Sequence, residues 1–164
     1  MKVLIVSDSH RKDGNLLEVI QGTAPFDMMI HLGDGEGSDE MIRSWCEEAS
    51  PGCEIHMVQG NNDFFTGLPG EEEFMIGPYR TFITHGHRYG VSMGPERLAD
   101  EAEARGAKIA MFGHTHKPYL GREDGLTVLN PGSISYPRQE GRRPTFAILE
   151  IDENGEMEIG HYYL

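Results

Sequence analysis

Cysteine is nearly absent from this chain of 164 residues, which has Cys46 and Cys53 and no others. Two thiols are too few for a disulfide scaffold or a thiolate zinc site, and as reduced thiols they suit a reducing compartment, so the chain reads as cytoplasmic. Long apolar runs are missing as well. The opening MKVLIVSDSH turns polar after one lysine and four apolar residues, too short for a signal-peptide core, and no later stretch could span a bilayer. Basic residues are scarce: 14 Lys and Arg stand against 27 Asp and Glu, a formal charge of −13. That balance opposes docking on a nucleic-acid backbone or an anionic membrane, and no run of lysines or arginines offers a basic groove. An acidic chain can still take an anion where bound divalent cations reverse the local field. Internal repeats, low-complexity segments and linkers are absent too, and the length fits one domain, residues 1–164, with enough chain to bury a sizeable core.

What is present is a repeated way of ending apolar runs. KVLIV runs into Ser7-Asp8-Ser9-His10, MMIHL into Gly33-Asp34-Gly35, and EIHMVQ into Gly60-Asn61-Asn62-Asp63. TFIT runs into His85-Gly86-His87, and KIAMF into Gly113-His114-Thr115-His116. Short continuous apolar runs bounded by turn residues predict strands buried on both faces. Between them, NLLEVIQG, SDEMIRSWCEEA and GPERLADEAEARG have helical spacing, the last with Pro95 in its first turn and Gly106 at its stop. Strand, helix, strand repeats imply parallel pairing. In the second half a Gly-Pro, an Asp-Gly and an Asn-Gly turn each separate two strand-like runs and predict hairpins. The expected class is α/β, two packed sheets flanked by helices.

In open α/β sheets ligands bind at the carboxyl ends of strands. Asp8, His10, Asp34, Asn61, His85, His114 and His116 all follow such ends. Two carboxylates, four imidazoles and an amide, with no thiolate, suit Mn, Fe, Zn or Ni better than Ca or Mg. Seven ligands exceed one tetrahedral ion and suit two divalent metal ions sharing a carboxylate. Asp-x-His or His-x-His alone is equally the polar face of a strand; two such pairs joined by three more strand-end groups are not.

In order, DSH, GDG, GNND, HGH and GHTH, followed by NPGS at 130–133, resemble the signature of the calcineurin-like metallophosphoesterases, and the short chain is similar to their small bacterial and archaeal phosphodiesterase branch. The resemblance implies a four-layer α/β/β/α sandwich of two mixed sheets. It assigns Asp8, His10 and His116 to one metal and Asn61, His85 and His114 to the other, with Asp34 bridging. It implies hydrolysis of a small phosphoester, most simply with Mn, by in-line attack of a hydroxide held between the ions. A nuclease shares that chemistry but wants a basic groove. The family also includes a trafficking-complex subunit that uses the fold as a protein-binding scaffold, and a homo-oligomer is left open.

The broader family has a histidine after the ligand asparagine, where this chain has Asn62. An amide cannot act as a general acid at neutral pH, although it can donate to a phosphate oxygen. Phosphodiesters with activated leaving groups are therefore expected to be preferred over alkyl monoesters. Asp63 is expected to orient a ligand imidazole, or else to stabilise a turn. His87 is a candidate for substrate contact or proton supply, and Arg11 for pairing with a phosphate oxygen. His31 and His56 read as buried, satisfied histidines, and His161 has no assignment. The helix face of Met41 and Trp45 reads as core, Glu71 to Glu73 as a solvated strand edge, and loops 63–71 and 88–95 as the rim of the site.

Overall fold

Alternation along the strands explains the layers. The computed structural model describes residues 1–164. Strand β1 (Lys2–Val6) sends Val3 and Ile5 into a core between two sheets, and Leu4 and Val6 into a second core under helices. With a period of two, a strand buried on both faces must be apolar at every position, which is why the run is continuous. Helices α1 (Gly14–Thr23) and α2 (Asp39–Ala49) cover that second core with Leu16, Val19, Ile20, Ile42 and Cys46.

The first sheet has the order β10-β9-β1-β2-β3. Its strands β2 (Met28–His31) and β3 (Glu54–Met57) run parallel to β1, whereas β9 (Thr145–Ile151) is antiparallel to β1 and β10 (Met157–Tyr163) is antiparallel to β9. The second sheet, β4-β5-β6-β8-β7, is built from β4 (Glu71–Ile76), β5 (Tyr79–Thr84), β6 (Ile109–Met111), β7 (Pro118–Glu123) and β8 (Leu126–Pro131). Its middle strands β5, β6 and β8 are parallel and the outer ones antiparallel. Phe82, Ala110 and Val128 face α3 (Glu96–Ala104), which closes the fourth layer with Leu98 and Ala102. The result is the expected α/β/β/α sandwich of two mixed sheets.

Several expectations change. All three hairpins form, but the last, β9-β10, joins the N-terminal sheet through β1, so antiparallel strands lie in both sheets. Strand β3 is an edge strand with Met57 as its one fully buried residue, so it is not buried on both faces. His56 is accordingly half-buried, donating from Nδ1 to Glu72 at 2.7 Å and stacked on Phe74. His31 is buried and satisfied as expected: Nδ1 accepts the Gly33 N–H and Nε2 meets Ser9 Oγ, both at 3.2 Å. Met41 is exposed, leaving Trp45 to pack partly on the core. The Glu71 to Glu73 edge is not simply solvated, because Arg105 pairs with Glu71 at 2.9 Å and Glu73 at 3.2 Å. No helix is long and apolar enough to cross a membrane.

Candidate metal centre

The strand ends of both sheets meet at one edge of the sandwich, and the backbone there is under strain. Asp8, His10, Asp34, His114 and His116 all have positive φ, between 46° and 66°. Non-glycine residues in the left-handed region cost about 1–3 kcal/mol each where the surroundings enforce it, and they concentrate at functional sites. Two glycines are required by close approach rather than by a turn. A Cβ on Gly60 would collide with the Asp34 carboxylate and amide, and one on Gly113 with Ser7 Oγ, with Asp8 Oδ2 only 2.9 Å away.

Seven side chains converge in this edge. Asp8 Oδ1 lies 3.1 Å from His116 Nε2, 3.8 Å from His10 Nε2 and 3.9 Å from His85 Nε2. Asp34 Oδ2 lies 3.4 Å from His85 Nε2 and 3.8 Å from His10 Nε2. Asn61 Oδ1 lies 3.1 Å from His85 Nε2 and 2.9 Å from His114 Nδ1. Two subsets have the mutual spacing of metal ligands: Asp8, His10 and His116, and Asp8, Asp34 and His85.

The outer ring nitrogens determine what the inner ones can do. His85 Nδ1 donates to the Leu32 carbonyl at 2.6 Å, His116 Nδ1 to the Tyr136 carbonyl at 2.7 Å, and His10 Nδ1 to Glu36 Oε1 at 2.7 Å. With the proton on Nδ1, each neutral ring turns an Nε2 lone pair inward. Acceptors then face acceptors: His10 Nε2 and His116 Nε2 are 3.2 Å apart, and buried Asp8 Oδ1 has no donor at all. Buried polar atoms without partners are rare, and a cluster of converging lone pairs fits a cation. The oxygen and nitrogen donors present thus fit divalent metal.

Charge effects agree. Burial alone would raise the Asp8 pKa, but the His116 and His85 imidazoles and the Ser7 hydroxyl hold it below the ordinary value. Burial works in the same direction on Asp34, and His85 with the Asn62 N–H groups overcomes it, keeping the carboxylate ionised well below the usual range. Burial opposes a proton on His85, yet Asp34, Asp8 and the Leu32 carbonyl raise its pKa. His114 moves the other way, its pKa lowered by burial and by His85.

Not every residue singled out from the sequence performs as expected. Asp63 touches no imidazole: Oδ2 accepts the N–H groups of Asp34 and Gly60 at 2.7 Å, and Oδ1 that of Glu36 at 2.6 Å. It clamps the loop after β3 onto the loop after β2, which is the turn-stabilising alternative extended to a second loop. Asn62 is turned to Asp34 rather than outward, with its N–H 2.8 Å from Oδ1 and its Nδ2 2.7 Å from Oδ2. His87 Nδ1 is buried without a partner, its ring 5.5 Å from that of His85 and 6.1 Å from that of His114. Burial lowers its pKa, and His85, Arg88 and His114 add to the effect, so His87 is neutral near pH 7 and a poor proton source. Arg11 is exposed in the loop after β1 with φ 60° and no carboxylate partner.

Other residues came to light only in the fold. Glu36 fixes the His10 ring. Ser133 Oγ donates to the Asp8 carbonyl at 2.8 Å, and Asn130 Nδ2 to the Gly113 carbonyl at 2.8 Å, so the NPGS segment braces both metal-loop pairs. The available signal was the NPGS motif at 130–133, which resembles the family signature but carries no role for its residues. His161 Nε2 donates to the Asn130 carbonyl at 2.7 Å. On the side of His10 and His116 a cavity of about 740 Å³ is walled by Tyr136, Arg138 and Arg142. Loop 88–95 lines a neighbouring hollow through Val91 to Pro95, with Thr115 and Lys117 opposite.

Comparison with known proteins points the same way. The family model for the calcineurin-like phosphoesterase superfamily domain matches residues 1–154. The probable metallophosphoesterase YsnB of Bacillus subtilis (strain 168) is 33% identical over 156 residues, 94% of this chain and 86% of its own. A solved structure from Streptococcus pneumoniae TIGR4, described as a predicted phosphoesterase, superposes with a TM-score of 0.78 at 28% identity, covering 99% of this chain and 97% of that one. Wild-type Vps29 of Entamoeba histolytica complexed with zinc has a TM-score of 0.75 at 23% identity, covering 99% of both chains. At that identity the last likeness is one of fold.

Proposed function

The chain belongs to the calcineurin-like phosphoesterase superfamily and is a metal-dependent phosphoesterase, and on that premise we propose that its strand-end cluster holds two divalent ions and cleaves phosphodiesters. The observation that carries the reading is the set of inward lone pairs on His10, His85 and His116 around the donorless Asp8 Oδ1. Asp8, His10 and His116 would hold one ion and Asn61, His85 and His114 the other, with Asp34 between them. Such ions, when bound, supply Lewis acidity and a water acidic enough to act as nucleophile near neutral pH.

The protein's own groups do the positioning. Leu32 and Tyr136 carbonyls and Glu36 hold the imidazoles with their Nε2 atoms inward. Asn62 and Asp63 hold Asp34 and its loop in place. With an amide at position 62 and a neutral His87, the chain places no strong acid beside the leaving group, so aryl diesters should be cleaved faster than alkyl monoesters. Mn is the proposed ion, with Fe, Zn or Ni as alternatives for the same donor set. A small phosphoester is the expected substrate, and the unpaired Cys46 and Cys53 suit the reducing cytoplasm.

The test is hydrolysis of bis(p-nitrophenyl) phosphate by protein stripped of metal and then given Mn, alongside Asp34→Asn. Turnover should depend on added metal and fall at least about 100-fold in the variant. Protein shown to hold metal but unable to hydrolyse this ester or p-nitrophenyl phosphate would overturn the reading in favour of a scaffold on the same fold.

A further inference from the structure

Outside the ligand cluster, one wall of the adjoining cavity is positively charged, which is unexpected in a chain of net charge −13. Two arginines are ion-paired to glutamate elsewhere in the fold: Arg80 with Glu73 at 2.8 Å, and Arg105 with Glu71 at 2.9 Å and Glu101 at 2.8 Å. Arg138 and Arg142 line the cavity and have no carboxylate within ion-pair distance. Glu36 lines it too, but its Oε1 accepts from His10 Nδ1. Lys12 lies on the same side, its Nζ 5.3 Å from the centre of the Tyr136 ring.

The wall is tied to the metal loops rather than loosely attached. The Arg138 N–H donates to the His116 carbonyl at 3.0 Å, the Tyr136 carbonyl accepts from His116 Nδ1, and the Arg142 N–H donates to the Gln139 carbonyl at 3.1 Å. Tyr136 also meets the His10 ring edge-on at 5.5 Å. Exposed arginines are usually just solvated, but two without carboxylate partners share this wall, and the backbone of one of them, Arg138, is fixed to the His116 carbonyl, which gives an anion beyond the one under attack a place to bind. Guanidinium groups bind phosphate through paired N–H donors and keep their charge at any working pH.

We propose that Arg138 and Arg142 bind a second phosphate of the substrate, so that the enzyme selects phosphodiesters carrying a further phosphoryl group over simple diesters. The proposal rests on the phosphodiesterase reading above. It is tested with thymidine 5′-(p-nitrophenyl phosphate) and its 3′-phosphorylated counterpart, which differ only in the second phosphate, on Mn-loaded protein and on an Arg138→Gln/Arg142→Gln variant. The 3′-phosphate should raise kcat/KM by about tenfold in the parent, and that ratio should fall to near one in the variant. Because a ratio within one protein is read, a general loss of activity in the variant does not mimic the result. A ratio near one in the parent, or one that survives the double substitution, overturns the proposal. Calorimetry with thymidine 3′,5′-bisphosphate against thymidine 5′-monophosphate reads the same ratio in binding, so a protein without turnover refutes the phosphodiesterase reading while still deciding this one.

Discussion

At the amino end of β1, donors meet acceptors, whereas at its carboxyl end acceptors meet one another. The Met1 ammonium donates to the Ile151 carbonyl at 2.8 Å, the Lys2 N–H to Asp27 at 2.6 Å and Lys2 Nζ to the Thr23 carbonyl at 2.5 Å. Six to nine residues along the chain, Asp8 Oδ1 is buried with no donor and both Asp8 and His10 adopt the left-handed region. The first end is complete as protein and serves to hold the sheet edge. The second leaves a buried carboxylate oxygen without a donor, which the proposed ions would satisfy, and its geometry is maintained by the surrounding fold at a cost to stability.

The largest way to break that contrast is to remove the space the strained loops need. Gly113→Ala puts a Cβ against Ser7 Oγ and Asp8 Oδ2, whereas Gly14, at the start of α1, has open space around it. Gly113→Ala should lower unfolding stability by about 3 kcal/mol, and Gly14→Ala should leave it unchanged or raise it by about 0.5 kcal/mol. Urea titrations of both variants check this; equal midpoints would mean the strand ends are no tighter than a helix start.

A middle-sized effect should come from Asp63→Asn. One oxygen that accepts backbone N–H groups becomes an NH2 donor facing a donor, which should cost about 2 kcal/mol and loosen the loop that carries Asp34. Metal affinity, read by titration with Mn, should fall together with the stability. An unchanged affinity with reduced stability would separate the clamp from the centre.

The smallest effect concerns His31, a buried imidazole that the protein satisfies without help. Burial holds its pKa below the ordinary value, with Asp63, Asp8 and Asp13 opposing. A depressed imidazole pKa contributes stability that is full above the unfolded value, about 6.5, and is lost as pH falls through the folded one. His85, whose pKa is raised, contributes in the opposite sense, its share being lost as pH rises. In metal-free protein, His31→Gln should therefore reduce the drop in urea midpoint between pH 7.5 and 5.5. An equal drop in parent and variant would assign the acid sensitivity to another group.

Much of this was legible in one dimension. Period, turn chemistry and the apolar run of β1 are local, because alternate side chains point to opposite faces and an Asp-Gly turn needs only its own two residues. The ligand kinds after the strand ends were legible for the same reason. Of the two roles expected for Asp63 only the turn-stabilising one holds, and its full extent was not legible because, besides Gly60 three residues away, its partners Asp34 and Glu36 lie 29 and 27 residues away. Met41 was misread because helical spacing alone does not say which side of the face is covered.

By itself the sequence determined which residues end the strands, that they offer oxygen and nitrogen but no sulfur, and that the sheets carry apolar residues on both faces. Only the tertiary structure decided that β9 joins β1, that Tyr136 and Leu32 carbonyls turn His116 and His85 inward, and that Arg138 and Arg142 wall the cavity. The division has a physical cause: backbone preference and side-chain alternation act between neighbours, whereas hydrogen bonds such as Ser133 to Asp8 join residues 125 apart. Such contacts exist only once both sheets have packed.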